Sequence, residues 1–150
     1  MMNRKQLGST LWGLADNYLR NKVDDYKPYV LSLLFFKRLS DNYQWEINNR
    51  IKKFEEDYGR TPTEKQIKII KEEGPNFKIP EGYFWEDVAN SPLNEINEKL
   101  HNAVNEISET NREILPRGII NTANWNAPAP DGSGRKKLAP EILQNMINYL

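Results

Sequence analysis

The chain has 150 residues, 28% of them charged and 38% apolar, with no cysteine and a formal net charge of zero. This composition suits one domain with a real core and excludes a disordered segment. It also excludes disulfides, thiol catalysis and cysteine-ligated metals. The charge is unevenly spread. Residues 1–71 hold 14 Lys+Arg and 9 Asp+Glu (14 − 9 = +5), and residues 72–150 hold 7 and 12 (7 − 12 = −5). Such asymmetry marks either a DNA-facing basic surface or halves that pair with each other, and it is too mild for tight non-specific DNA binding by this chain alone. The start lacks an apolar leader and no run of about 18 apolar residues occurs, so the expected compartment is the cytoplasm, with no membrane partner.

In chain order, Leu7, Leu11, Leu14 and Tyr18 recur at helical spacing and predict a helix over residues 3–19. Residues 21–24 break it. The densest apolar run, residues 29–36, follows Asp25 as N-cap and Pro28 in the first turn, where its missing N–H costs nothing. Tyr29, Leu33, Phe36 and Ser40 share one ridge, with Val30/Leu34 and Leu31/Phe35 beside it. A helix apolar on most sides is a core helix with neighbours all around. The pattern continues through Tyr43, Trp45, Ile47, Ile51 and Phe54 to Gly59, as one helix or as two bent near Ser40-Asp41.

Thr61-Pro62-Thr63-Glu64 predicts a helix start, with Thr61 as cap, Pro62 at the first position and Glu64 closing a capping box. That short helix stops at Gly74-Pro75 and carries Lys65, Lys68 and Lys71 on its outer ridge. Phe77, Ile79, Tyr83, Phe84, Trp85 and Val88, broken by Pro80 and Gly82, predict an extended segment whose rings plug the core. Ser91-Pro92 opens a helix with Leu93, Ile96, Leu100, Ala103 and Ile107 inward, ending near 114–115. Residues 116–137 read as a long surface loop, and Pro140-Glu141 opens a last helix. Its apolar end, Leu150, suggests a chain cut from something longer. The predicted fold is all-α, a bundle of five or six helices with a short extended aromatic insert.

Residues 7–41 carry Leu11-Trp12, the link from Val23-Asp24 to Tyr26-Lys27, Leu31-Ser32-Leu33-Leu34, and Lys37-Arg38-Leu39-Ser40-Asp41. With Ile79-Pro80-Glu81-Gly82-Tyr83-Phe84-Trp85 further on, these resemble the N-terminal helical domain of the modification (M) subunit of type I restriction–modification systems. That family comprises DNA adenine-N6 methyltransferases. The resemblance implies that residues 1–150 are the N-terminal domain and that a catalytic domain binding S-adenosylmethionine follows residue 150. It also implies double-stranded DNA, a specificity subunit, a second M subunit and a restriction subunit as partners.

The residues themselves show no catalytic device. No Asn-Pro-Pro or Asp-Pro-Pro occurs, and the Gly132-Ser133-Gly134 run has no apolar strand before it, so it reads as a turn. His101 stands alone, whereas zinc needs three or four ligands. Adjacent acids such as Asp24-Asp25 and Glu72-Glu73 point about 100° apart on a helix and do not face each other. No catalytic residue, cofactor site or metal site is expected in this chain. The candidate DNA or partner contacts are Lys37, Arg38, Arg135, Lys136 and Lys137. Asp41 lies at helical spacing from Lys37 and Arg38, so an intrahelical ion pair competes with phosphate for them. The role that the resemblance implies is to help enclose DNA and to pack against partner subunits. The alternative is a non-enzymatic helical protein–protein module without DNA contact.

Overall fold

The computed structural model describes residues 3–19 and 26–150, and six α-helices occur among them, with no strand beyond one isolated antiparallel bridge between Pro128 and Lys136. Helix α1 spans Arg4–Leu14. The Asn3 carboxamide accepts from the Gln6 N–H at 2.9 Å while Gln6 Oε1 accepts from the Asn3 N–H at 2.9 Å, which satisfies two otherwise orphaned donors. A π-helical turn, Ala15–Leu19, continues it. Because a π turn closes on residues five apart, it brings Leu19 under Leu14, and both are fully buried. The expected break at 21–24 and the Asp25 cap lie outside the described residues.

Helix α2, Lys27–Tyr58, is one unbroken rod of 32 residues, about 48 Å long. Pro28 occupies its first turn, and Gly59 ends it at φ +65°, where its N–H donates to the Glu55 carbonyl at 2.8 Å. Its buried residues run from Tyr29 to Ile47 and leave one side open. Leu31 and Trp45, placed inward by the apolar pattern, are 53% and 58% exposed. The helix has neighbours on most sides but not on this one.

Helix α3, Glu64–Glu73, begins later than predicted. Thr63 caps it, its hydroxyl accepting from the Gln66 N–H at 3.3 Å while Gln66 Oε1 accepts from the Thr63 N–H at 2.9 Å. Pro62 is buried ahead of the cap, so entry falls to Thr63 rather than Thr61. None of α3's own residues is buried.

The aromatic insert plugs the core as expected, and it adds a short helix, α4, Trp85–Ala89. Trp85 packs on Phe36 at 5.3 Å, and Phe84 on Tyr43 at 5.6 Å. Helix α5 is Ile96–Thr110, with Leu100, Ala103, Val104 and Ile107 inward. It starts after, not at, Ser91-Pro92. Ser91 Oγ donates backward to the Asp87 carbonyl at 2.8 Å and accepts from no N–H of α5, and residues 92–95 form a turn closed by Glu95 N–H to Pro92 O at 2.9 Å. Helix α6, Pro140–Tyr149, packs against α4, α5 and the π turn. Its Tyr149 ring meets Tyr18 edge-on at 5.7 Å and covers Gly13, where a Cβ would overlap the Tyr149 hydroxyl.

The connection from α5 to α6 is not a loop on the surface. Ile120, Trp125 and Leu138 are buried, and Trp125 stacks edge-on against Tyr29 at 5.2 Å. Buried irregular chain needs partners for its carbonyls, and helix side chains supply them. The Asn97 carboxamide donates to Trp125 O at 3.1 Å and Leu138 O at 2.9 Å and the Ser32 hydroxyl to Ile120 O, while in the other direction Thr122 Oγ1 of the connection donates to Pro28 O of α2 at 3.0 Å. Asn111 clasps the insert on both sides. Its Oδ1 accepts from the Lys78 N–H at 2.6 Å and its Nδ2 donates to Lys78 O at 2.7 Å.

Asn97→Ala strands two buried carbonyls, and a loss of about 1–3 kcal/mol is expected from urea unfolding. Asn102→Ala, on the exposed face of the same helix, should stay within about 0.5 kcal/mol of the parent.

Candidate nucleic-acid and partner interface

The five candidate cations fall into two groups. Lys37 and Arg38 are neighbours on α2, and their side chains have different fates. Lys37 Nζ pairs with Asp41 at 3.1 Å and lies 5.2 Å from the Trp85 ring centre, so its charge is held within the fold. Arg38 is exposed and makes no hydrogen bond or ion pair with a described residue.

Arg135, Lys136 and Lys137 stand on a small hairpin. Ala129 N–H donates to Arg135 O at 2.8 Å and Lys137 N–H to Ala127 O at 2.7 Å, while Gly132 and Gly134 take φ of +73° and +79° at the tip. Asp131 Oδ1 accepts from the Ser133 N–H at 2.9 Å, and its hydrogen bonds to Ser133 hold its carboxyl below the usual range. Lys136 Nζ reaches Asn126 Oδ1 at 3.4 Å, and Arg135 and Lys137 have no side-chain partner among the described residues. The hairpin's root is Trp125 on one strand and Leu138 on the other, both buried, so these cations project from a fixed base.

The two groups do not form one patch. The hairpin root meets α2 at Tyr29, and Arg38 lies nine residues on, about 13 Å along the axis and 900°, hence half a turn, around it. Arg38 instead belongs to a ridge of exposed residues seven apart, Leu31, Arg38, Trp45 and Lys52. The sequence reading missed this ridge because Leu31 and Trp45 fit an apolar pattern. The available signal was their heptad spacing from Arg38 and Lys52, which puts all four out of phase with Tyr29, Leu33 and Phe36.

Two concave features complete the surface. An apolar groove of about 260 Å³ runs between α1 and α2, lined by Leu11, Trp12, Ala15, Tyr26, Val30 and Leu31, with Lys27 on its rim. An open cleft beneath α3 holds Tyr43, Lys68, Lys71, Ile79 and Phe84. Lys78 Nζ, also there, donates to the Lys71 and Glu72 carbonyls at 3.2 and 2.9 Å, which satisfies the negative end of α3.

The glycine run does not fit a nucleotide cofactor. A Cβ added at Gly132 or Gly134 would meet open space, so these glycines serve the left-handed turn and not a close backbone approach to a ligand. No group of three metal-ligating side chains occurs among the described residues. His101 is half-buried on α5 and its Nδ1 makes no hydrogen bond. No helix among the described residues is long and apolar enough to cross a membrane.

The fold and these surfaces define an all-α domain that presents its functional groups on the outside. Residues 7–150 match the family model described as the HsdM N-terminal domain, and the chain belongs to that family. Over 101 residues it is 36% identical to the type I restriction enzyme MjaVIII methylase subunit of Methanocaldococcus jannaschii. The match covers 65% of this chain and 15% of that relative's length. This is the N-terminal domain of a type I modification subunit.

Burial of the Tyr43 hydroxyl raises its pKa above the usual tyrosine value. The folded protein therefore keeps this proton longer than the unfolded chain, and stability falls as pH rises from about 10 toward the folded value. Tyr43→Phe should make the alkaline fall in urea midpoint shallower, with no change near neutrality.

Proposed function

We propose that this domain helps a type I DNA adenine-N6 methyltransferase close around double-stranded DNA and packs against the specificity, restriction and second modification subunits. On this reading it performs no chemistry itself. S-adenosylmethionine binding and methyl transfer belong to a catalytic domain outside residues 1–150, in a cytoplasmic enzyme. The observation that carries the DNA half is the rooted hairpin, in a chain of this family. Arg135 and Lys137 are exposed cations with no described partner on a base fixed by Trp125 and Leu138. A fixed cationic loop contacts phosphates and carries no sequence information, which leaves sequence reading to another subunit. Among the candidate residues Arg38 is a third exposed cation with no described partner. Lys37 reaches phosphate only by giving up Asp41. The apolar groove and the exposed Trp45 support the other half of the role, packing on protein.

Each phosphate contact contributes about 0.9 to the slope of log K against log salt. In the assembled enzyme, replacing Arg135, Lys136 and Lys137 together by alanine should lower that slope by about 2 to 3, and Arg38→Ala by about 1. Filter binding or fluorescence anisotropy over a salt series reads this directly. An unchanged slope removes the hairpin from the DNA surface.

A further inference from the structure

The exposed ridge of α2 has a counterpart on the same chain. Arg38 and Lys52 lie 52 − 38 = 14 residues apart, about 21 Å along α2, with Trp45 midway. Glu95 and Glu109 lie 109 − 95 = 14 residues apart, again about 21 Å, with Asn102 midway and Glu98 and Glu106 flanking it. All five of these α5 residues are exposed.

Near Arg38 and Glu95 the residue of opposing sign is held elsewhere, while the exposed Glu55 and Glu56 lie one turn beyond Lys52. Asp41, beside Arg38, is tied to Lys37 at 3.1 Å, and Lys99, beside Glu95, sits 5.0 Å from the Tyr83 ring centre. The ion pair of Glu109 with Arg112 at 3.2 Å is exposed at both ends, and such pairs contribute little and yield readily. The two ion pairs formed among the described residues are both local, Lys37–Asp41 and Arg112–Glu109, so neither joins the basic half of the chain to the acidic half.

We propose that the acidic ridge of α5 in one copy of this domain docks along the Arg38–Trp45–Lys52 ridge of α2 in a second copy. The helices run antiparallel, the sense their dipoles favour, so that Arg38 faces Glu109, Lys52 faces Glu95 and Trp45 lies over Asn102. An exposed Trp flanked by cations has the composition of a protein-contact anchor, since Trp and Arg dominate binding energy at interfaces. Charge matching at both ends fixes the register of the two helices. The inference rests on the reading that the domain packs on partner subunits, and names the second copy and the two faces.

The test uses the 150-residue chain, in which one hydrophobic core joins residues of α1, α2, α4, α5 and α6. Sedimentation velocity should show self-association at about 50 mM salt that weakens as screening rises. Arg38→Glu with Lys52→Glu puts acid against acid, and Glu95→Lys with Glu109→Lys puts base against base. Each pair of substitutions alone should weaken association about tenfold or more. A 1:1 mixture of the two variants restores opposite charges across the contact and should recover it. That recovery also shows that neither variant is misfolded. Trp45→Ala should weaken association at every salt concentration. A wild-type chain that stays monomeric throughout, variants that associate like wild type, or a mixture without recovery would each overturn the docking. The hairpin's salt slope is read separately on DNA, so either result stands if the other fails.

Discussion

A buried carbonyl without a donor costs about 1–3 kcal/mol, and this protein buries several outside its helices. Asparagine carboxamides at opposite ends of α5 meet that demand. Asn97 holds Trp125 and Leu138 at one end, and Asn111 holds both backbone groups of Lys78 at the other. Around them Ser32 and Thr122 tie the same connection to α2. The aromatic plugs follow from these bonds. Trp125 can stack on Tyr29, and Trp85 on Phe36, only where the flanking backbone enters the core with its polar groups satisfied.

This division of labour shapes the outside as well. The core takes its apolar groups from helices and connections alike, so what remains on the surface is what no internal partner claims. Lys37 and Arg38 show the sorting at one residue's resolution. One step of about 100° around α2 turns the first toward Trp85 and Asp41 and the second to solvent. The hairpin shows it on a larger scale. Its base belongs to the core and its tip to the surroundings, a combination suited to presenting charge in a fixed place without folding it anew.

Much of this was legible in the sequence, for local reasons. The Pro28 start and Gly59 stop of α2, the Pro140 start and the inward ring cluster at 77–88 all follow from periodicity and punctuation within a few residues, whereas the pattern left open whether α2 bends near Ser40-Asp41, and it runs unbroken. The misreadings are nonlocal or competitive. Thr61 was the expected cap of α3, and Thr63 takes that place with Gln66 closing its capping box. Ser91 offered a cap, but α5 begins only after the turn at 92–95, and the Ser91 hydroxyl bonds back to Asp87. The segment 116–137 looks polar and turn-rich, and the buried Trp125 within it has its carbonyl bonded by a side chain 28 residues earlier and its ring packed on Tyr29. No window of local pattern carries that. For the surface, a lysine and an arginine side by side are indistinguishable until the helix phase is fixed, and Trp45 reads as core in any count of apolar residues.

Tyr149 seated over Gly13 has a bearing on how the chain comes into being. The two positions are 149 − 13 = 136 residues apart in sequence, and at roughly 5–20 residues per second their synthesis is separated by about 7 to 27 s. Through that interval Gly13 on α1 lacks the Tyr149 ring that packs over it, so α1 is made early among these six helices and completed late. The edge of α1 and the π turn that Tyr149 covers, at Gly13 and Tyr18, is therefore the part of this helix that stays open until α6 has been made.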